Sequence, residues 1–402
     1  ASTVPAYPKE VAMQYVTAGE SHGPSLVVIV SGVPAGIALN STAINGDLAR
    51  RQSGYGRGGR MAIEQDTVRI LSGVRFGKTI GAPIALQIDN KDGENWATRM
   101  AQEGRPPQDL ELEQSPRPGH ADLVGALKTN TADCRDVLER ASARETAARV
   151  AAGAVAKALL ANFGVEIGSY VTRIGAVALP QSEIDRKAAV FSASKVEASA
   201  VRCPCPATSQ LMTQAIDAAR AAGESLGGWF SVTATGLVPG IGGYAQAADR
   251  LTGRIGAALF SIPAIKGVEF GLGFKAGTLP GSQVHDPIIV TSDAARIQPV
   301  RATNNAGGLE GGMTNGETLL IHAAMKPIPT MTTPLATVNL RTHERAEASK
   351  ERSDICAVPA AAVVAEAEVA LVLANAYTEK FGRDALVDCL ASFESYVARI
   401  AR

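Results

Sequence analysis

Apolar and polar positions alternate in three early stretches of the chain, and each predicts a β-strand. The first is "SLVVIVSGV" (25–33), bounded by Gly and Pro; "TVRILSGVRFG" (67–77) and "APIALQIDN" (82–90) follow. Residues 92–118 lose the alternation, turn polar and Pro-rich, and predict a loop or flap. Residues 134–163, "CRDVLERASARETAARVAAGAVAKALLANF", predict one long helix, with Glu145 and Arg149 paired at i,i+4. Its face of Ala147, Ala148, Ala151, Ala152 and Gly153 would let a second element pack closely.

The second half repeats the plan. "GESHGPSLVVIVSGVPAGI" (19–37) is echoed by "GESLGGWFSVTATGLVPGI" (223–241), so 229–237 predicts a strand, with Leu226 where the first copy has His22. Residues 210–223 and 246–264 predict helices. "GVRFG" (73–77) is echoed by "GVEFG" (267–271), and "ERAS" (139–142) by "ERSD" (351–354). Each of the latter pair precedes an Ala/Val-rich helix ending in "FG", at 163–164 and 381–382, and Pro359 suits the first turn of the later one. Ordered matches of this kind predict two pseudo-symmetric halves, about 12–200 and 205–402, sharing one core; recurrence of glycine turns is the competing explanation.

Composition narrows the function classes. With 39 Lys+Arg against 39 Asp+Glu, no net field favours nucleic acid or an anionic membrane. The apolar runs read as too short and too broken to span a bilayer, and "ASTVPAYPKEV" has no secretory pattern. A cytoplasmic location is expected, or a plastid one if a transit peptide has been removed. Five cysteines without framework spacing read as reduced thiols, and Cys203-Pro-Cys205 has no nearby His to complete a metal site. Forty glycines with 4% aromatics imply many tight turns and close backbone approaches.

Candidate chemistry concentrates in a few segments. "DLARRQSGYGRGGRM" (47–61) sets Arg50, Arg51, Arg57 and Arg60 among glycines, as a site for a small phosphorylated acid would. It lacks the Lys-Ser/Thr ending of a nucleotide P-loop; an exposed arginine loop or an RNA contact are the alternatives. "SPRPGHADL" (115–123) presents His120 on a Pro-Gly turn beside Arg117 and Asp122, where neighbouring charge would tune an imidazole for proton transfer. His285, His322 and His343 lack such surroundings and read as structural. Arg140 and Arg144 share a helix face, and Ser142 corresponds to Asp354 in the other half. Those two either meet at one anion site or simply cap their helices. "ATNNAGGLEGGMTNGE" (302–317) reads as tight turns, and "MKPIPT" (325–330) holds Lys326 in a rigid extended segment.

Together these segments resemble the chorismate synthase family. The stretches that carry the resemblance are "TAGESHGP", "RRQSGYGRGGRM", "SGVRFGKTIGAPIAL", "RPGHAD", "LERASARETAARVAAGAVAK", "GVEFGLGF", "GSQVHD", "TNNAGGLEGGMTNGE", "MKPIPT" and "ERSDICAVPAA", spanning 17–360 in the family's order. The resemblance implies an α+β fold, a β-α-β sandwich of two pseudo-repeated halves with inner helices, as one domain over 1–402. It implies conversion of 5-enolpyruvylshikimate 3-phosphate to chorismate by anti-1,4-elimination of phosphate, with reduced FMN required and no net redox change. It also implies a homotetramer; the absence of a separate Rossmann-like Gly-x-Gly-x-x-Gly unit or an extra domain points to an external flavin reductase.

By matching motif, His22 would protonate the departing phosphate, His120 would act on the reduced flavin, and Ser142 and Asp354 would relay a proton beside it. Ser21, Arg51, Arg57, Arg60, Arg117, Arg144 and Arg352 would hold the substrate's anionic groups. Arg140, Ala141, Ser142, Ala264, Gly311, Lys326, Pro327, Ile328, Pro329, Thr330 and Arg352 would line FMN. Arg51 and Arg57 also match positions that take a nicotinamide nucleotide (NADP) in some members. Thr129 stands where the family often has Tyr, and Pro263 where Asn or Gln is usual beside the flavin.

Overall fold

The computed structural model describes residues 13–58, 65–180, 192–293, 297, 299–349 and 354–401. Its first sheet is built from β1 (Gln14–Ala18), β2 (Ser25–Ser31), β3 (Val68–Ile70) and β4 (Ile84–Asp89). The strands lie in the order β1-β2-β4-β3, all antiparallel. Alternation sets the faces: Leu26, Val28 and Val30 point into the core while Ile29 stays exposed.

The second sheet contains β5 (Glu166–Ile174), β6 (Val177–Ala178), β7 (Gly228–Thr235), β8 (Ile265–Phe270) and β9 (Leu319–Met325). Its order is β6-β5-β7-β9-β8, again antiparallel throughout. Without the two-residue β6, the first, second, fourth and third strands of each sheet are neighbours in that order. Strand β5 lies inside the stretch that sequence placed in the first half, yet it pairs in the second sheet.

The helices that bear on the core and the site are α1 (Ser41–Gln52), α2 (Arg135–Ala141), α3 (Thr146–Ala161), α4 (Pro206–Ala222), α5 (Leu251–Phe260), α6 (Val358–Phe381) and α7 (Leu386–Ile400). Helix α3 packs on β2 and β4, α6 on β5 and β7, and α3 and α6 pack on each other. The layer order is therefore sheet, helices, sheet. Gly153 of α3 faces Ala367 of α6 so closely that a Cβ built on it would lie 2.2 Å from the Ala367 Cβ. The small-residue face read from sequence is what permits this crossing.

Helix α6 corrects one sequence expectation. At 24 residues and mean hydropathy 1.6 over its best window, it is long and apolar enough to cross a membrane, yet 94% of that window is buried inside the protein. A helix apolar on all sides is here the centre of a core. Its charged exceptions are fully engaged. Glu366 accepts from both terminal nitrogens of Arg50 at 2.8 and 2.7 Å, from Lys157 at 2.8 Å and from Ser169 at 2.6 Å. Burial alone would raise this carboxyl, but Lys157, Arg50 and Arg202 outweigh it and hold it far below the usual range. For Glu368 burial wins and the carboxyl is raised, despite Arg149 and Tyr15.

Other boundaries differ from the pattern. The helix foreseen over 134–163 is broken at Ser142, whose extended backbone separates α2 from a single 3₁₀ turn (Ala143–Glu145) and α3. Ser competes for backbone donors at such a point: its Oγ accepts from the Arg144 N–H at 3.3 Å. The strand foreseen over 67–77 ends at Ile70, and 74–79 makes a separate tight hairpin through Phe76 and Gly77, both with positive φ. "GVRFG" and "GVEFG" are thus not equivalent, since the latter lies largely in β8. The helix foreseen over 246–264 is a 3₁₀ turn followed by α5, which stops at Phe260 before Pro263.

Candidate active site

The two inner helices α3 and α6 begin on the same side of the protein, and a cavity of about 800 Å³ opens there. Among the described residues, six cationic side chains line it: Arg51, Arg57, Arg117, Arg144, Lys266 and Lys326. Among the described residues, two carboxylates, Asp92 and Asp354, share the lining. Helix N-termini carry free N–H groups and positive dipole ends, so the cavity suits anions twice over. Ile262, Ala264, Met325, Ile328, Ala360 and Val364 give it an apolar side against which a flat aromatic ring can lie.

His22 stands on the turn after β1, and three contacts fix it. Its Nδ1 lies 2.8 and 2.9 Å from the two Glu139 oxygens, and its backbone N–H donates to Glu139 Oε2 at 2.8 Å. Its ring stacks on Trp96, with centroids 4.2 Å apart. Burial would raise the Glu139 carboxyl; hydrogen bonding and charge from His22, with Arg135, outweigh it and hold it below the ordinary value.

His120 is held the same way on the Pro118-Gly119 turn. Its Nδ1 lies 2.5 Å from Asp122 Oδ1, and Arg117 clamps the same carboxylate at 2.8 and 3.2 Å. Burial opposes ionisation of Asp122, but the His120 and Arg117 hydrogen bonds keep its carboxyl far below the usual range. An ionised Asp122 only accepts, so the His120 proton sits on Nδ1 and Nε2 is left to the cavity.

The arginines are aimed by buried acceptors. Arg51 at the end of α1 donates to Thr146 Oγ1 at 2.9 Å and to the Ala143 carbonyl at 2.9 Å. Arg144 donates to Asp66 at 2.5 Å and to Asn90 at 2.9 Å, and Asp66 also pairs with Arg51 at 3.4 Å. Burial pulls the Arg51 guanidinium down to about 10, against the pull of Asp66. Arg57 pairs with Asp354 at 2.9 Å, and the Gly58 N–H donates to the same carboxylate at 2.7 Å. Asp354 therefore fastens the glycine-rich loop and does not cap α6, whereas Ser142 does cap the turn before α3. Lys326 donates to the Gly119 carbonyl at 2.5 Å and its backbone N–H to the Ala264 carbonyl at 2.9 Å. Burial, then neighbouring Lys266, lowers the Lys326 ammonium. Ala264 itself has φ +68, a left-handed conformation rare for a residue with a Cβ.

Of the residues singled out in sequence, Ser21, His22, Arg51, Arg57, Arg117, His120, Ala141, Ser142, Arg144, Ala264, Lys326, Ile328, Pro329, Thr330 and Asp354 line this one cavity. Arg140 does not: its guanidinium is spent on the Thr17 and Gly19 carbonyls and the Thr17 hydroxyl, tying α2 to β1. Gly311 sits in a hairpin of 309–314 and Pro327 is exposed; neither lines the cavity. Arg60 and Arg352 lie outside the described residues. Sequence reasoning passed over Glu139, Trp96, Asp66, Asn90 and Lys266. The only local hint was that Glu139 heads "ERAS"; its partner His22 is 117 residues away.

The model of the chorismate synthase family matches residues 13–378. The chain belongs to the chorismate synthase family. A chorismate synthase of Symbiobacterium thermophilum is 53% identical over 401 residues, covering 97% of this chain and 100% of its own. One of Rubrobacter xylanophilus is 54% identical, covering 96% and 97%. A crystal structure of chorismate synthase superposes with a TM-score of 0.78 at 41% identity, covering 97% of this chain and 98% of its own. The chain is accordingly an enzyme, a lyase acting at the final step of the shikimate pathway. Chorismate synthases use reduced FMN, and the apolar and cationic residues that line the cavity fit a flat ring and a phosphate.

Proposed function

We propose that 5-enolpyruvylshikimate 3-phosphate binds in this cavity and loses phosphate by anti-1,4-elimination, giving chorismate beside reduced FMN. The observation that carries this is convergence: His22, His120, Ser142 and Asp354, from four separate segments, line a single cavity with six cations. The substrate carries a phosphate and carboxylates, and the cations offset their charge where water is displaced. Arg51, Arg57, Arg117 and Arg144 hold those groups, with Ser21 alongside and Arg60 and Arg352 contributing from outside the described residues.

Chain residues then move or hold protons. His22 gives a proton from Nε2 to the phosphate oxygen as the C3–O bond breaks. His120 presents Nε2 toward the flavin side, with Nδ1 anchored on Asp122. Ser142 Oγ and the Asp354 carboxylate relay the proton from C6, Asp354 more directly. Reduced flavin, when bound, supplies electron density to the substrate and recovers it, which a ring-spanning elimination needs. Ala141, Ala264, Lys326 and Ile328 to Thr330 would line it. We also read the chain as one duplicated domain, its halves meeting near residue 165 where β5 enters the second sheet, assembled as a homotetramer and served by an external flavin reductase.

Anaerobic incubation with the substrate and chemically reduced FMN is the test. Phosphate and chorismate should appear together, and oxidised FMN should give neither. His22→Ala and His120→Ala should each slow turnover roughly 10²–10⁴-fold. Absence of turnover in the unaltered chain would overturn the proposal. Oxidation of NADPH by the purified chain with FMN would overturn the external-reductase reading.

A further inference from the structure

The buried carboxylate behind His22 has more partners than a structural role requires. Glu139 is almost wholly buried on α2. It meets the His22 backbone N–H at 2.8 Å, the His22 Nδ1 at 2.8 and 2.9 Å, and Arg135 Nη1 at 3.2 Å. The backbone contact would suffice to hold the turn. The ring contact is additional and aims the imidazole. Trp96 covers the ring face, and the Arg135 guanidinium lies 5.0 Å from the Trp96 ring centroid. Arg135 therefore braces both groups that touch the ring.

We propose that Glu139 is a positioning residue that keeps a proton on His22 Nδ1 and turns Nε2 to the leaving phosphate, with Trp96 as the wall that fixes the ring plane. An ionised carboxylate offers only acceptors, so the ring nitrogen facing it must be N–H. On the opposite edge Nε2 faces Asp92 Oδ2 at 3.8 Å, an ion-pair distance when the ring is charged. The step balances on this arrangement. The Nε2 proton passes to the phosphate oxygen as the C3–O electron pair leaves with phosphate. The ring becomes neutral with Nδ1–H still on Glu139, and solvent returns the Nε2 proton once phosphate has gone. The inference rests on the proposed role of His22 and adds what selects its tautomer.

Glu139→Gln keeps the shape and removes an acceptor. With the amide oxygen kept on the backbone N–H at the Oε2 position, an NH₂ replaces Oε1, the oxygen 2.8 Å from Nδ1, and that donor drives the neutral ring toward Nε2–H. The test combines kinetics with ¹⁵N-histidine spectra, the His22 signals being assigned by their loss in His22→Ala. In the unaltered protein neutral His22 should carry its proton on Nδ1, and in Glu139→Gln on Nε2. Turnover in Glu139→Gln should fall roughly 10²–10⁴-fold with KM changed less than about threefold, as for a lost positioned acid. Glu139→Asp should recover at least about tenfold of that loss. Neutral His22 with its proton on Nε2 in the unaltered protein would overturn the proposal without any variant having to fold. So would turnover in Glu139→Gln within about threefold of the original. Wild-type turnover in His22→Ala is a separate result, and it would remove the role of His22 itself.

Discussion

Gly153→Ala sets two physical effects against each other, and the structure says which wins. Helix propensity alone favours alanine by about 1 kcal/mol in a helix interior. At Gly153, however, the added Cβ would lie 2.2 Å from the Ala367 Cβ, 2.5 Å from its Cα and 3.1 Å from its carbonyl carbon. Ordinary carbon contacts are about 3.5–4.0 Å, so α3 and α6 would have to part by more than about 1 Å. Two of the three obstructing atoms are backbone, so no rotamer change relieves the clash. Overpacking of this kind costs about 1–3 kcal/mol, and the upper part of that range exceeds the propensity gain. Net destabilisation of about 1–2 kcal/mol is expected, read as a lower urea midpoint at unchanged slope. Gly256→Ala in α5 is the matched control, since nothing lies within 4 Å of a Cβ there. The same substitution should be neutral or stabilising at that site. Because the cavity sits at the starts of α3 and α6, Gly153→Ala should also raise the substrate KM. A Gly153→Ala protein as stable as the original, or more stable, would refute the argument that this crossing is closed to a methyl group.

The remaining predictions concern the site and its buried charges. His22→Leu should abolish most turnover with the fold intact, while Leu226→His should add none, because Leu226 packs against the core and its N–H donates to the Ile355 carbonyl at 2.8 Å; gain of activity in the latter would show that the second corner is also a site. Asp66→Asn should lower stability by about 3 kcal/mol, the cost of leaving buried cations short of a partner, and added phosphate should narrow the gap in melting temperature by offsetting Arg51 and Arg144. Asp122, Glu139 and Glu366 have carboxyls held below their unfolded values, so their stabilisation is complete above about pH 4–4.5 and is lost as pH falls through the folded values. Asp122→Asn should therefore show a smaller drop in melting temperature between roughly pH 5 and pH 3 than the unaltered chain, and an equal drop would refute the assignment.

Strands β2, β4 and β7 and helices α4 and α6 were legible because period-two alternation and turn residues are local signals. The break at Ser142 was not, although Ser is a poor residue for a helix interior, because the helix-forming residues on either side outweigh one Ser in any window. The doubled segment was also legible, and so was the suspicion attached to its one changed residue, His22 against Leu226.

By itself the sequence determined the element types, the echo between the halves, and the short list of histidines and arginines around which chemistry could be built. Residue type and spacing carry that information, since they act within a few positions along the chain. The tertiary structure alone decided which carboxylate His22 meets, that Asp354 fastens a loop, and that an apolar helix long enough for a membrane is the centre of a core. Those outcomes depend on contacts between residues 100 or more positions apart, such as His22 with Glu139 across 117. The folded chain, with α2 tied to β1 through Arg140 and the starts of α3 and α6 opening on one cavity, brings such residues together, and no local pattern encodes that distance.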